Sequence, residues 1–398
     1  MINKKMEKVG KEGSAIVELS DYGKKRKKEI GEGNVFDFSI GNPSIPCPDS
    51  VTNKLIDIIK NTDPVKLHSY TSMNGVYETR RAIAEYLNKT YGTNVSGEFI
   101  YMTPGASAGL AICFNALLNK NDEVIVFAPF FPEYQVFIEK AQGKVVSLDC
   151  DKNTCLPDLE LLKKSIIKKT KVVIINSPNN PTGAIYKEDL IRQISSILTQ
   201  KQEEYHHDIY LLSDEPYREL IYSDVKYPFI TNYYSNSIVV YSFSKSLSLP
   251  GERIGYVLLG NKLHKKKDIY SAIKGSGRAL GYESAPSLFQ YLLPSCLGIT
   301  SDISIYKENR DILYNYLVEL GYQVIYPDGA FYLFMKCLED DAIKFSNVAR
   351  NFELLLVPSD TFGVKGFVRI SYCVSKEMII KSLPAFKKLK QYYDDIKE

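Results

Sequence analysis

Residues 172–183 read VVIINSPNNPTG, four branched apolar residues, an asparagine, and then a proline-rich and asparagine-rich string. A short unbroken apolar run is what a strand buried on both faces presents, because neither face meets water. The string after it is turn chemistry, and alone it would mean no more than a turn. Working outward, the same texture recurs at residues 124–128 (VIVFA), 209–213 (IYLLS), 238–242 (IVVYS) and 254–259 (IGYVLL). Helical periodicity fills the intervals at residues 106–118, 133–141, 159–169 and 188–200. Strand and helix in alternation predict an α/β chain with a mainly parallel sheet and helices on both faces. In such sheets ligands sit beyond the carboxyl ends of the strands, so chemistry is expected just after each apolar run.

Polar groups stand at these strand ends. Residues 213–217 (SDEPY) put Asp214 at the end of one run, residues 242–245 (SFSK) put Lys245 among hydroxyls after another, and residues 251–255 (GERIG) add Arg253. Singly, each has an ordinary alternative: an aspartate caps helices, and a lysine or arginine faces solvent. Four turns bearing an Asn, an Asp, a Lys and an Arg in one order, each beside a strand, are poorly explained as four accidents. Residues 103–110 (TPGASAGL) form a glycine-bearing turn that opens a helix, whose free N–H groups would suit a phosphate or serve only as an ordinary helix start.

The bulk properties exclude several classes. With 50 Lys and Arg against 47 Asp and Glu, the net charge of +3 on 398 residues is neither a nucleic-acid footprint nor a membrane-surface charge. Seven scattered cysteines without a C-x-x-C pair read as reduced thiols in a cytoplasmic protein, and four histidines without H-x-x-x-H give no zinc site. No stretch reaches the roughly 18 apolar residues of a membrane span. The basic run at residues 24–28 is either an anionic-partner patch or a solvated helix face; Glu29 and Glu32 beside it favour the latter. After about residue 285 the texture changes to helix-like 301–320, a short apolar 331–335 and a lysine-rich helical end from 376. This predicts a large domain at 49–283 and a smaller discontinuous one from 1–48 plus 284–398.

The ordered motifs, from Gly41-Asn42-Pro43 to Arg369-Ile370-Ser371, resemble the class I/II aminotransferases of the aspartate aminotransferase superfamily. The resemblance implies the pyridoxal phosphate-dependent transferase fold type I: a mainly parallel seven-stranded sheet flanked by helices, with a smaller discontinuous α+β domain. It also implies pyridoxal 5′-phosphate as cofactor. On that basis Lys245 would carry the cofactor and act as general base and acid, Asp214 would pair with its ring nitrogen, and Tyr217 and Asn180 would bond its phenolic oxygen. Gly105, Ala106, Ser107, Ser242, Ser244 and Arg253 would hold the phosphate, and Phe131 would stack on the ring or simply pack in the core. Arg369 would grip a substrate carboxylate with help from Asn180 and Gly41. Tyr70 matches a tyrosine that reaches the phosphate of a neighbouring subunit in a homodimer, although 29 tyrosines make chance matches easy.

Arg278, in a basic stretch read as loop, either contacts a distal substrate carboxylate or faces solvent. Tyr282, Phe331 and Tyr332 either line a pocket or pack. The implied reaction moves an amino group between an L-amino acid, aspartate first, and 2-oxoglutarate. The same motifs would serve a C–S β-lyase. A non-catalytic cofactor-binding regulator, fused to a DNA-binding helix-turn-helix, is the reading from another class; only about a hundred residues precede the phosphate turn, which leaves that domain little room.

Overall fold

The computed structural model describes residues 2–11 and 15–397. Its centre is a sheet of β1 (Ile100–Thr103), β2 (Glu123–Ala128), β3 (Lys144–Asp149), β4 (Thr170–Asn176), β5 (Tyr210–Asp214), β6 (Ser237–Ser242) and β7 (Gly255–Leu259), in the order β1-β7-β6-β5-β4-β2-β3. β7 alone runs against the others. β4, β5 and β6 are almost wholly buried, which is why their sequences are continuous rather than alternating. The five expected runs are β2, β4, β5, β6 and β7. The two strands not anticipated, β1 and β3, are the sheet's edges. β1 has only four residues, and β3 exposes part of its length, so KVVSLD lacks the apolar signal of its neighbours.

A second, antiparallel sheet holds β8 (Val324–Ile325), β9 (Tyr332–Lys336), β10 (Val357–Pro358) and β11 (Phe367–Ser371) in the order β10-β11-β9-β8. Beside it Phe36–Asp37 pairs in parallel with Leu354–Leu355, which joins the two ends of the chain in one layer. Phe38 and Ile45 pack with Leu313, Phe331 and Phe386 in that layer's core, whereas Val51 packs with the large sheet. Ala285, Phe289, Leu292, Leu293 and Cys296 also bury into the large-sheet core. By packing, then, the apolar division falls after Ile299 and before Tyr306, later than the 283/284 boundary read from the sequence.

The basic run at 24–28 lies on the Ala15–Ile30 helix, where Lys24 pairs with Asp21 at 2.8 Å and Arg26 with Glu353 at 2.6 Å. It is a charge-paired helix face tied to the small layer. No described helix is long and apolar enough to cross a membrane, and no group of three His, Cys, Asp or Glu among the described residues is placed to hold a metal.

Candidate active site

The carboxyl ends of β4, β5 and β6 open into one cavity of ≈ 260 Å³, close to the lower limit of roughly 300 Å³ for small-ligand sites. The turn after β4 is built by its own asparagines. Asn176 accepts the Asn180 N–H at 2.7 Å through Oδ1 and donates to the Asp214 carbonyl at 2.8 Å through Nδ2, so the ends of β4 and β5 are locked together. Asn179 accepts from the backbone N–H and hydroxyl of Thr182. Gly183, at φ +73°, closes the turn against Pro327, whose Cβ would lie 2.2 Å from any side-chain carbon added there. A glycine is required at that contact.

Asp214 lies 4 % exposed at the end of β5. Tyr134 donates to its Oδ2 at 2.6 Å, while Oδ1 is buried without a hydrogen-bond partner. Burial pushes this carboxyl up to about 7, with Glu215 adding to the rise and the Tyr134 hydrogen bond opposing it. Lys245 extends from the one-turn helix Phe243–Ser246 after β6, and its Nζ donates to the Gly41 carbonyl at 2.7 Å. Burial lowers its pKa to about 8; Cys373 works against that, and Arg253 and Arg369 reinforce it. An amine in that range is substantially neutral near pH 8 and therefore nucleophilic.

From the small layer, β11 delivers Arg369, which is 2 % exposed. One guanidinium nitrogen donates to Asn180 Oδ1 at 3.1 Å and another to the Ser39 carbonyl at 2.5 Å, while Nε is buried and unpartnered. No described carboxylate is among its hydrogen-bond partners, and burial lowers its pKa. Tyr332 stacks under it, with the guanidinium carbon 4.7 Å from the ring centre, and shares a 2.7 Å hydrogen bond with Tyr217.

At the other end, Ala106 and Ser107 open the Gly105–Leu117 helix, beside Arg253 and the hydroxyls of Ser242 and Ser244, which lie 2.7 Å apart. Gly105, at φ +80°, sits behind them; a Cβ there would lie 2.7 Å from the Arg253 guanidinium. Among the described residues, three cations (Lys245, Arg253, Arg369) and one carboxylate (Asp214) line the cavity, an excess that suits an anionic occupant.

A family model described as aminotransferase class I and II matches residues 33–383. This chain belongs to that family. A solved amino transferase from Eubacterium rectale superposes on the aminotransferase with a TM-score of 0.97 at 50% identity, covering 99% of each chain. The aspartate aminotransferase of Pyrococcus horikoshii is 32% identical over 89% of this chain and 90% of its own. The solved aspartate aminotransferase from Thermotoga maritima gives a TM-score of 0.86 at 27% identity over 100% of both chains.

Most of the residues expected in the aminotransferase's site do meet in the cavity: Gly41, Ala106, Ser107, Phe131, Asn180, Asp214, Tyr217, Ser242, Ser244, Lys245, Arg253 and Arg369 all line it. Tyr70 does not, since it is fully exposed outside the cavity. Arg278 is likewise outside. Its segment is the helix Lys266–Leu280 rather than a loop, and Ile273, Ser276 and Gly277 take the buried face, which leaves Arg278 on the exposed one. Of the three aromatics with two readings, Tyr332 lines the cavity, whereas Phe331 is core and Tyr282 is surface.

The sequence reading missed Asn176, Tyr134 and Ile16. Asn176 closes an apolar run, so the strand-end rule could have found it. Tyr134 sits inside a helix and Ile16 in the N-terminal segment, where no local signal exists.

Proposed function

We propose that this aminotransferase uses pyridoxal 5′-phosphate to move an amino group between an L-amino acid and a 2-oxo acid by ping-pong kinetics, with aspartate and 2-oxoglutarate as the leading pair. The observation that carries the cofactor is Asp214 Oδ1, a buried acceptor without a partner in a cavity whose other charged lining residues, among those described, are the cations Lys245, Arg253 and Arg369. A protonated ring nitrogen satisfies such an oxygen and keeps its charge, where an unpaired buried carboxylate would be costly. The remaining donors fit the same group: Arg253, Ser242, Ser244 and the N–H groups opening the Gly105–Leu117 helix suit its phosphate, Tyr217 and Asn180 its phenolic oxygen, Phe131 its ring face, and Lys245 its attachment.

Bound there, the cofactor supplies an electron sink for the charge left when the substrate's α-C–H bond breaks. The rest falls to the chain. Arg369 binds the α-carboxylate, held in place by Asn180 and Ser39. Lys245 Nζ, with its pKa near 8, takes and returns the α-proton near neutral pH.

Aspartate as donor is supported by relatives that bear that name. Beyond Lys245, Arg253 and Arg369, no cation among the described residues lines the cavity, so a distal carboxylate would need one from outside them. A homodimer is part of the proposal. Exposed Val65, Tyr70, Met73, Tyr77 and Tyr282 lie on neighbouring segments that a 2.9 Å Thr71–Ser284 hydrogen bond joins, and they support it. So too are a large cofactor domain with a split small one, and a cytoplasmic location, in keeping with seven unpaired cysteines.

The test is Lys245→Ala with a panel of amino donors and 2-oxoglutarate. We expect loss of the cofactor's protein-linked visible absorbance and of turnover; full transaminase activity in the variant would overturn the assignment. A panel led by donors other than aspartate would replace the leading pair. Pyruvate release without amino transfer would mark elimination instead.

A further inference from the structure

Asp214 is divided between two tasks. One carboxylate oxygen takes a 2.6 Å hydrogen bond from the Tyr134 hydroxyl; the other is unpartnered at the cavity wall. Tyr134 is 2 % exposed on the helix Glu133–Lys140, and Asp214 is the hydrogen-bond partner of its hydroxyl. Its ring also meets that of Phe131 edge-on, with centres 5.6 Å apart at 84°, and Phe131 lines the same cavity. One buried side chain thus fixes both the acid and the aromatic wall. A phenol can only donate to a carboxylate, so the bond favours the charged form and selects which oxygen remains free.

We propose that Tyr134 is a positioning residue of this aminotransferase, holding one oxygen of Asp214 so that the other stays charged and available to the cofactor's ring nitrogen. The inference rests on reading the cavity as a pyridoxal 5′-phosphate site. Its electrostatic setting is consistent. Facing Asp214 are Tyr134, Glu215 and Tyr217; burial and Glu215 drive the carboxyl toward neutrality, and the Tyr134 hydrogen bond opposes them. Tyr134 itself is held far above its ordinary pKa by burial and by Asp214, so it remains a donor throughout the working range.

The test is the dissociation constant of pyridoxal 5′-phosphate from the apoprotein, read by cofactor absorbance, for the wild type, Tyr134→Phe, Asp214→Asn and the double variant. Tyr134→Phe keeps the ring edge on Phe131 and removes only the hydroxyl. Near pH 7, where Asp214 titrates, we expect binding weakened roughly fivefold, the loss of ionised carboxyl that a pKa raised by about one would bring. By about pH 9 the gap closes, because the carboxyl is then ionised with or without the phenol. In the Asp214→Asn background the second substitution changes nothing further. An equal loss at both pH values, no loss, or additive losses in the double variant would mean a merely structural role and overturn the inference.

Should the phenylalanine variant not fold, 3,5-difluorotyrosine at position 134 is the same size and a stronger donor. It tightens binding near pH 7 if the inference holds and leaves it unchanged if not. A wild-type apoprotein that binds no pyridoxal 5′-phosphate overturns the reading of the cavity together with this inference, and is told apart because the wild type itself fails.

Discussion

Asp214 and Lys245 are displaced toward one another in pH, the acid up to about 7 and the amine down to about 8, both chiefly by burial. For the acid this carries a stability consequence. An unfolded aspartate ionises near pH 3.9, the folded one near pH 7, so between those values the unfolded chain loses its proton first. Stability of the cofactor-free protein therefore falls as pH rises through that window, and the deficit persists above it. Asp214→Asn removes the buried charge and keeps a group able to accept from Tyr134. We expect the apoprotein variant to melt above the wild type at about pH 8 and level with it near pH 4, with a ceiling of roughly 1.4 kcal/mol per pH unit of that window. Calorimetry of both apoproteins decides this, and a variant that gains no stability over the wild type at pH 8 relative to pH 4 would show that Asp214 is solvated in the free site. Loss of cofactor affinity in the same variant would show stability and function opposed at one residue.

At the scale of elements, the phosphate end depends on Gly105. Its φ of +80° and its approach to Arg253 leave no room for a side-chain carbon, so Gly105→Ala must displace either the helix start or the guanidinium. We expect pyridoxal 5′-phosphate to bind on the order of tenfold or more weakly, with a smaller loss for pyridoxal lacking the phosphate; equal losses for both ligands would place the damage elsewhere. The motifs ending at Asn176, Asp214 and Ser242 were legible because β4, β5 and β6 are interior strands, whose apolar runs stop abruptly where the cavity begins. Edge strands β1 and β3 carry no such signature. Arg278 kept two readings in the sequence because its chemistry was weighed without the helix face, which only the packing of Ile273 and Gly277 fixes. Tyr134 was invisible for another reason: its partner is 80 residues away, and its own helix reads as ordinary amphipathic sequence.

For the whole molecule, a net charge of +3 understates the cavity, whose described lining residues include three cations to one acid. The donors come from two layers, Asp214 and Lys245 from the large sheet and Arg369 from the small one. A second copy of the chain is expected to complete the site, so sedimentation should give twice the chain mass, and Tyr70→Ala should raise the dissociation constant of the cofactor without altering the melting of the isolated subunit. A monomer with full activity would remove the second copy from the site.

The sheet order has a further consequence, for the sequence of assembly. β1 hydrogen-bonds to β7 and to no other strand of the sheet, and β7 is the last of the seven to be synthesised. Until residues 255–259 emerge, Ile100–Thr103 has no neighbour in the sheet. Gly255 is where the halves touch: an added carbon would meet the Tyr241 carbonyl at 2.3 Å and the Gly105 Cα at 3.2 Å. The serines after β6 and the helix start after β1 become parts of one cup only when that glycine slots between them. A nascent chain has therefore synthesised the turn, the acid and the lysine before it has the strand that gives it anywhere to hold a phosphate.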